Sequence, residues 1–332
     1  MLQRTQKMNQ QKGIALIMVL LVVALVTIIA TGIASNQKLS TRRTSNLLNN
    51  EQAYMYLLGA EDWAKDILID DVNPNNNTDS NNATEDSLND LWAFNLNPIP
   101  VEGGVITGRI EDLQARFNIN NIIDRATDTP NAANITLLRN LFVAINAQSK
   151  NTNIPNTTDA VLDWIDANPD ALQNGAEDGE YLNRPQSYVA ANRIMASASE
   201  LVKVNGFDYS LANLIAPYVI ALPEATPINI NTASEMQFRM LVQGLSDSQI
   251  KDIIDQRGTT GFATIADFTN LSQVPNNIDQ SLIALRSNYF LLTASSVIGN
   301  SRAELYSILH RGVNPGNSQV EVKVLLRSQR RI

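Results

Sequence analysis

The sequence predicts an α+β fold in which a long N-terminal helix packs on an antiparallel sheet, with a large α-helical domain inserted into that sheet. Three observations predict it. Helical spacing of apolar residues runs almost unbroken to about Asp70, the segment 288–332 breaks into short alternating runs, and the stretch between them is rich in helical periodicity. With 332 residues and an apolar share of 44%, the chain has enough material for two cores.

The helix comes first. Residues 1–13 form a basic leader with Arg4, Lys7 and Lys12, no acid, and a Lys12-Gly13 end, and Ile14 to Ala34 follow at once, apolar and uncharged. At about 1.5 Å per residue this stretch is roughly 31 Å long as a helix, the thickness of a bilayer's hydrocarbon layer of about 30 Å. The basic flank puts the N-terminus in the cytoplasm and the bulk of the chain across the membrane, an inference that Lys38, Arg42 and Arg43 on the far side weaken. The residues leave three processing fates open: an uncut anchor, a signal cut after Gly32-Ile33-Ala34, or a cut between Gly13 and Ile14. Helical spacing continues through Leu47, Leu48, Tyr54, Met55, Leu58, Trp63 and Ile67, so one helix is expected over 14–70. Its outer half is amphipathic and must lay its apolar stripe on a partner.

An Asn-rich loop and the first strand of the sheet occupy 71–120, the strand signal starting at Val101 and running through Gly103-Gly104 toward Arg116-Phe117-Asn118. The helical insertion is expected over 121–287, and strands over 289–298, 303–310 and 320–327 complete the sheet in 288–332. Within the insertion Asn118-Ile-Asn-Asn-Ile is echoed by Asn229-Ile-Asn-Thr-Ala, with Asn121 and Thr232 expected as helix N-caps, dividing the lobe into two units.

Charge restricts the function. The formal charge is −8, or −11 without the three basic residues of the leader, which argues against polyanionic partners. Residues 228–268, in a unit beginning near 226, resemble a helix-hairpin-helix module, a motif usually read as a DNA binder. Here Arg239, Lys251 and Arg257 face five acids, and the hairpin reads Gly244-Leu245-Ser246, so a protein-interaction fold and no nucleic acid is expected. There is no Cys, and the only His, His310, falls on an expected strand with no catalytic partner marked beside it.

The strongest candidate site is Asp163-Trp-Ile-Asp166-Ala-Asn168-Pro-Asp170, followed by Gly175-Ala-Glu177-Asp178-Gly-Glu180. Hard oxygen ligands crowd two turns, a donor set that suits Ca²⁺ better than zinc, although the spacing is not that of an EF-hand. Asx caps and turn formers on a solvated surface explain the same residues, so spacing leaves both readings open.

Taken in order, the Lys12-Gly13 leader, Asp112-Leu-Gln-Ala-Arg-Phe-Asn-Ile-Asn-Asn121, Asp163-Trp-Ile-Asp166, Gly175-Ala-Glu-Asp178 and Ile228-Asn-Ile-Asn-Thr-Ala233 resemble the K-type minor pseudopilins of type II secretion systems. The resemblance covers nearly the whole chain. It implies a pseudopilin fold with an inserted α-helical domain, no enzymatic activity, and cleavage by a prepilin peptidase between Gly13 and Ile14, with methylation of the new terminus. It implies a single-pass protein of the bacterial inner membrane with its globular part in the periplasm, placed at the pseudopilus tip beside the I- and J-type minor pseudopilins and above the major pseudopilin. Contacts with the secretin and exported substrates belong to the same expectation, and a minor pilin of a type IV pilus or competence system is the alternative. Most subunits of this class carry Glu five residues after the cut, where this chain has Met18. The resemblance also implies structural calcium, held by Asp163, Asp166, Glu177 and Asp178, with Asn168 standing where an Asp is usual.

Overall fold

The computed structural model describes residues 12–72, 85–95, 97–148, 157–317 and 319–330. Leader residues 1–11 and residues 73–84 of the Asn-rich loop lie outside the described residues. Helix α1 runs unbroken over Lys12–Asp70. Its first half presents Ile14, Met18, Leu21 and Ile29 outward, and from Ala53 onward one face turns inward and buries Leu57, Ala64 and Leu68. The amphipathic outer half finds its partner within its own chain.

That partner is a five-stranded sheet of β1 (Ile99–Val101), β2 (Gly104–Asp112), β3 (Tyr289–Ile298), β4 (Ser301–Val313) and β5 (Val320–Ser328), side by side in that order. Every neighbouring pair is antiparallel. The β1–β2 hairpin turns at Gly103, with φ 80°, and a Cβ on Gly104 would stand 1.8 Å from the Val297 carbonyl oxygen. Only glycine fits there. Alternation along β3 sends Phe290, Leu292 and Ala294 toward α1, where they join Leu57, Ile67, Leu68, Leu305 and Leu309 in one core. Trp92 closes this core edge-on to Phe290, at 5.2 Å between ring centroids. Strand β4 is longer than the expected 303–310, because Ser301 pairs with Ile298 across the Gly299 turn and Val313 pairs with Val320. Backbone pairing extends past the hydropathy pattern that marked the strand.

The chain leaves the sheet after Asp112 and returns at Tyr289. Between them lie α2 (Ala132–Gln148), α3 (Thr158–Ile165), α4 (Asp178–Leu182), α5 (Tyr209–Ile215), α6 (Glu235–Leu241), α7 (Asp247–Arg257) and α8 (Ile265–Thr269). They enclose a second core that includes Phe117, Leu138, Leu141, Val161, Ile215, Phe238 and Phe268, separate from the sheet core. Each such fully buried Leu, Ile or Phe contributes about 1.5–3 kcal/mol. A small cluster of Leu113, Leu222 and Tyr289 sits at the junction.

The two Asn-Ile-Asn segments perform one task twice, although neither Asn121 nor Thr232 is an N-cap. Asn118 Oδ1 accepts from the Asn120 N–H and Asn229 Oδ1 accepts from the Asn231 N–H, three residues earlier than expected. Both asparagines end short parallel strand pairs, 117–118 with 219–220 and 228–229 with 283–284, where the backbone has the extended conformation a capping residue needs. Asn120 then bonds both ways to Met195 and Asn231 both ways to Phe262, satisfying buried amides with distant backbone. His310 lies on β4 with its ring 4.6 Å from that of Tyr289, a packing contact.

Candidate metal site

Helix α3 buries Val161, Leu162, Trp164 and Ile165 in the lobe core, and the same turn carries Asp163 inside with them at 0% exposure. Asp166 caps the helix in extended backbone and is also buried. The chain then folds back so tightly that a Cβ on Gly175 would stand 1.8 Å from Asp163 Oδ2. That same oxygen accepts the Leu172 N–H at 3.0 Å, and the Gly175 N–H closes the turn on the Leu172 carbonyl at 3.0 Å. Glycine is required here for close approach. The returning stretch of the loop buries Glu177 and leads into α4 at Asp178.

Four oxygens in this loop are buried without a protein partner: Asp163 Oδ1, Asp166 Oδ1 and both carboxylate oxygens of Glu177. Burial first, and then the charge of Asp163, push Asp166 up to about 6 and Glu177 up to about 7. Burial also raises Asp163, against the bonds it accepts from Leu172 and Ala176. A buried polar atom left unpaired costs about 1–3 kcal/mol, and more when charged. An all-oxygen set of this kind is of the chemistry that hard divalent cations take, and such an ion would supply both the missing partners and the missing charge.

The other two expected ligands stand at the rim. Asn168 is exposed, accepts from the Asp170 N–H at 3.0 Å, and also bonds Asp166. Asp178 is exposed, accepts from the Ala190 N–H at 2.9 Å, and adds its charge to the field on Glu177. Thus Asp163, Asp166 and Glu177 are gathered inside, and Asn168 and Asp178 flank them.

Sequence reasoning missed a second acidic cluster. Among the described residues, the group of three acids whose carboxylate oxygens lie within 4.8 Å of one another is Asp71, Asp86 and Asp90, close enough to hold a metal ion, and the loop acids are not gathered that closely. Asp71 follows the last residue of α1, whereas Asp86 lies beyond residues 73–84. This cluster has its own cation. Arg311, at an inward position of β4, pairs with Asp71 at 2.8 Å and Asp86 at 2.5 Å and donates to the Ser287 carbonyl at 2.8 Å. Asp90 accepts from Ser87 and from the Trp92 indole. Burial, with Asp86 and Asp90 alongside, holds Asp71 above the usual carboxylate range despite Arg311. The only sequence signal was an arginine at an inward-facing strand position, a residue type almost never buried unless paired.

The helix-hairpin-helix unit offers little to a phosphate backbone. Arg257 is buried and donates to the Ala233 carbonyl at 2.6 Å, while Arg239 bonds the Leu245 carbonyl and Asp247 across the hairpin. Of its three basic residues only Lys251 is exposed.

Comparison with known proteins covers both units of the lobe and the sheet. Residues 115–224 and 228–286 match two models of the family described as Type II secretion system (T2SS), protein K. The chain is 35% identical to the type II secretion system protein K of Pseudomonas aeruginosa, over 91% of this chain and 89% of that protein. The chain belongs to the type II secretion system protein K family. It is 34% identical to the protein K of Pectobacterium carotovorum, over 91% of this chain and 93% of that one. The structure of the GspK-GspI-GspJ complex from enterotoxigenic Escherichia coli contains a chain with the same fold, at TM-score 0.70 and 24% identity, covering 87% of this chain and all of that one. Proteins K are minor pseudopilins, structural and non-catalytic parts of the secretion apparatus. Gly13 and Ile14 lie in the first turn of α1, with exposed Met18 one turn on, and α1 is long and apolar enough to cross a membrane.

Proposed function

We propose that this chain is cut between Gly13 and Ile14 by a prepilin peptidase, rests in the inner membrane through the first half of α1 with its globular part in the periplasm, and is then drawn out to form the pseudopilus tip with I- and J-type minor pseudopilins. The observation that carries the tip reading is the lobe. An α-helical body with its own core, inserted in the chain between the paired strands β2 and β3, would obstruct a further subunit stacking above it. Subunits of the major type then follow below. Met18 supports the same reading. A carboxylate inside a membrane span costs roughly 2.5–3.5 kcal/mol, and in the family the usual Glu is thought to pair with the N-terminus of a neighbour, so a subunit without it needs no such neighbour.

Calcium is the cation that fits the loop, with Asp163, Asp166 and Glu177 inside and Asp178 and Asn168 at the rim. It would bind the folded loop and not the unfolded chain, so its binding free energy adds to the stability of the lobe. Two measurements test these readings. Intact mass and N-terminal sequencing of protein from membranes should show a start at Ile14 that depends on the peptidase, and a start at Ser35 or an uncut Met1 would remove the filament route. Asp163→Ala with Asp166→Ala should abolish the calcium-dependent rise in melting temperature, and an unchanged rise would exclude the loop as the site.

A further inference from the structure

We propose that Asn174 is a deamidation site controlled by the occupancy of the acidic loop, and that its conversion disables the loop irreversibly. The inference rests on the calcium reading of that loop.

The chain has two Asn-Gly pairs, Asn174-Gly175 and Asn205-Gly206. In such a pair the backbone nitrogen of Gly attacks the side-chain carbonyl carbon of Asn. A C–N bond forms, the bond to Nδ2 breaks, and Nδ2 leaves as ammonia carrying a proton that replaces the one lost from the Gly nitrogen. Water then opens the five-membered imide at either carbonyl, giving an aspartyl or an isoaspartyl residue. The net change is amide plus water to acid plus ammonia, with no oxidant or cofactor.

The two pairs differ in how firmly they are held. Asn205 Oδ1 accepts from Arg184 Nη2 at 2.7 Å, and Arg184 is itself stacked on Tyr181 and Tyr188, at 4.8 and 5.6 Å from the ring centres. The Asn205 N–H donates to the Tyr181 hydroxyl at 3.1 Å. Asn174 is exposed, and its amide reaches only across to Asp159 Oδ2, at 3.0 Å.

The attacking group at this site is gated. The Gly175 N–H is engaged with the Leu172 carbonyl, and that turn is anchored by the Leu172 N–H on Asp163 Oδ2. Asp163 is one of three buried acids whose mutual repulsion is relieved by a cation. With calcium bound the turn stays shut. Without it the anchor is pushed by its neighbours, the turn opens, and the Gly175 nitrogen is free to reach the Asn174 side-chain carbonyl carbon.

Conversion then damages the loop itself. A carboxylate at 174 faces Asp159, where the amide used to donate. An isoaspartyl link adds a methylene to the main chain directly before Gly175, which already packs against Asp163 with no space for a Cβ. Asp163 is displaced, and calcium cannot restore the turn.

The test uses the full mature chain in detergent, aged in mildly alkaline buffer with calcium or with EGTA. Peptide mass mapping and isoaspartate quantification follow both pairs, and melting curves are taken on fresh and aged samples after calcium is returned. Position 174 should convert several-fold faster in EGTA than in calcium, and position 205 should convert little in either. Aged wild-type protein should lose its calcium-dependent melting shift in proportion to conversion, while aged Asn174→Gln keeps it. Equal rates at 174 with and without calcium, in fresh protein that shows a melting shift, would overturn this inference alone. So would converted chains that recover the full shift. Fresh protein with no shift would overturn the calcium reading, and the control proposed here with it.

Discussion

Glu61 in the sheet half and Glu177 in the lobe are both nearly inaccessible, at 1% and 8% exposure, yet their surroundings are opposites. Glu61 on α1 accepts from Arg327 of β5 and from the Ser307 hydroxyl of β4, and these partners hold it below its ordinary value although burial opposes them. Glu177 has no partner for either oxygen, and burial, followed by the charges of four more acids, pushes it up. The sheet half is likewise complete at Asp71 and Asp86, which share Arg311. The junction acid Asp112, pushed by burial up to about 6, still accepts from Gln114, Thr232, Ser287 and Asn229. Glu61, Asp86 and Asp112 are bonded by the chain itself, whereas Asp163 and Asp166 each keep one buried oxygen without a partner and Glu177 keeps two. That contrast separates a joint that fixes geometry from a site that responds to its medium.

The strongest way to break the comparison is to remove the cation of the joint. Arg311→Met leaves Asp71 and Asp86 buried without their partner, a change that costs about 3–5 kcal/mol in comparable buried pairs. Urea unfolding should show this loss equally with calcium and with chelator. A loss that calcium reverses would mean that the Asp71, Asp86 and Asp90 cluster takes a metal once the arginine is gone. The joint would then be a second site that Arg311 normally occupies.

Next in size is the loop. Asp166→Asn keeps the shape of a ligand but removes one charge from the crowded set. Without calcium the variant should melt at or above the wild-type temperature, because repulsion at Glu177 falls. With calcium at one hundred times the dissociation constant, wild-type protein should gain about 2.7 kcal/mol and the variant much less. A variant destabilised in chelator would show that the loop acids stabilise the fold by themselves, as the acids of the joint do.

These two regions were not equally legible in the sequence. The long helix, the late strands and the acidic loop were readable because each is local. An apolar stripe at helical spacing, alternation between turn residues, and carboxylates crowded within one stretch all report on neighbours in the chain. The joint is not local. Arg311 and Asp86 are separated by 225 positions and meet only because the whole lobe lies between β2 and β3. The N-cap assignments at Asn121 and Thr232 failed for a related reason. The short parallel strands that place Asn118 and Asn229 in extended backbone are each made by a pairing distant in sequence, which local helix signals do not contain. Gly175 was visible as a residue of the loop, but its need to be glycine arises from the approach to Asp163, which folding alone reveals.

The smallest expected effect is at Glu61, where the partner is half in solvent. Arg327 keeps 42% of its side chain exposed, so losing the ion pair leaves it hydrated rather than stranded. Glu61→Gln retains an acceptor for Ser307 and should cost about 1 kcal/mol at neutral pH. The sign of its pH dependence follows from the lowered value. In the unfolded chain Glu61 titrates near its ordinary 4.5, and in the folded protein below it. Its contribution is therefore present above about 4.5 and is lost as the pH falls through the folded value. Wild type and variant should differ at pH 7 and converge in acid, in chelator as well as in calcium. A gap that persists undiminished in acid would mean that shape and packing at position 61, and not its charge, seat β5 on α1.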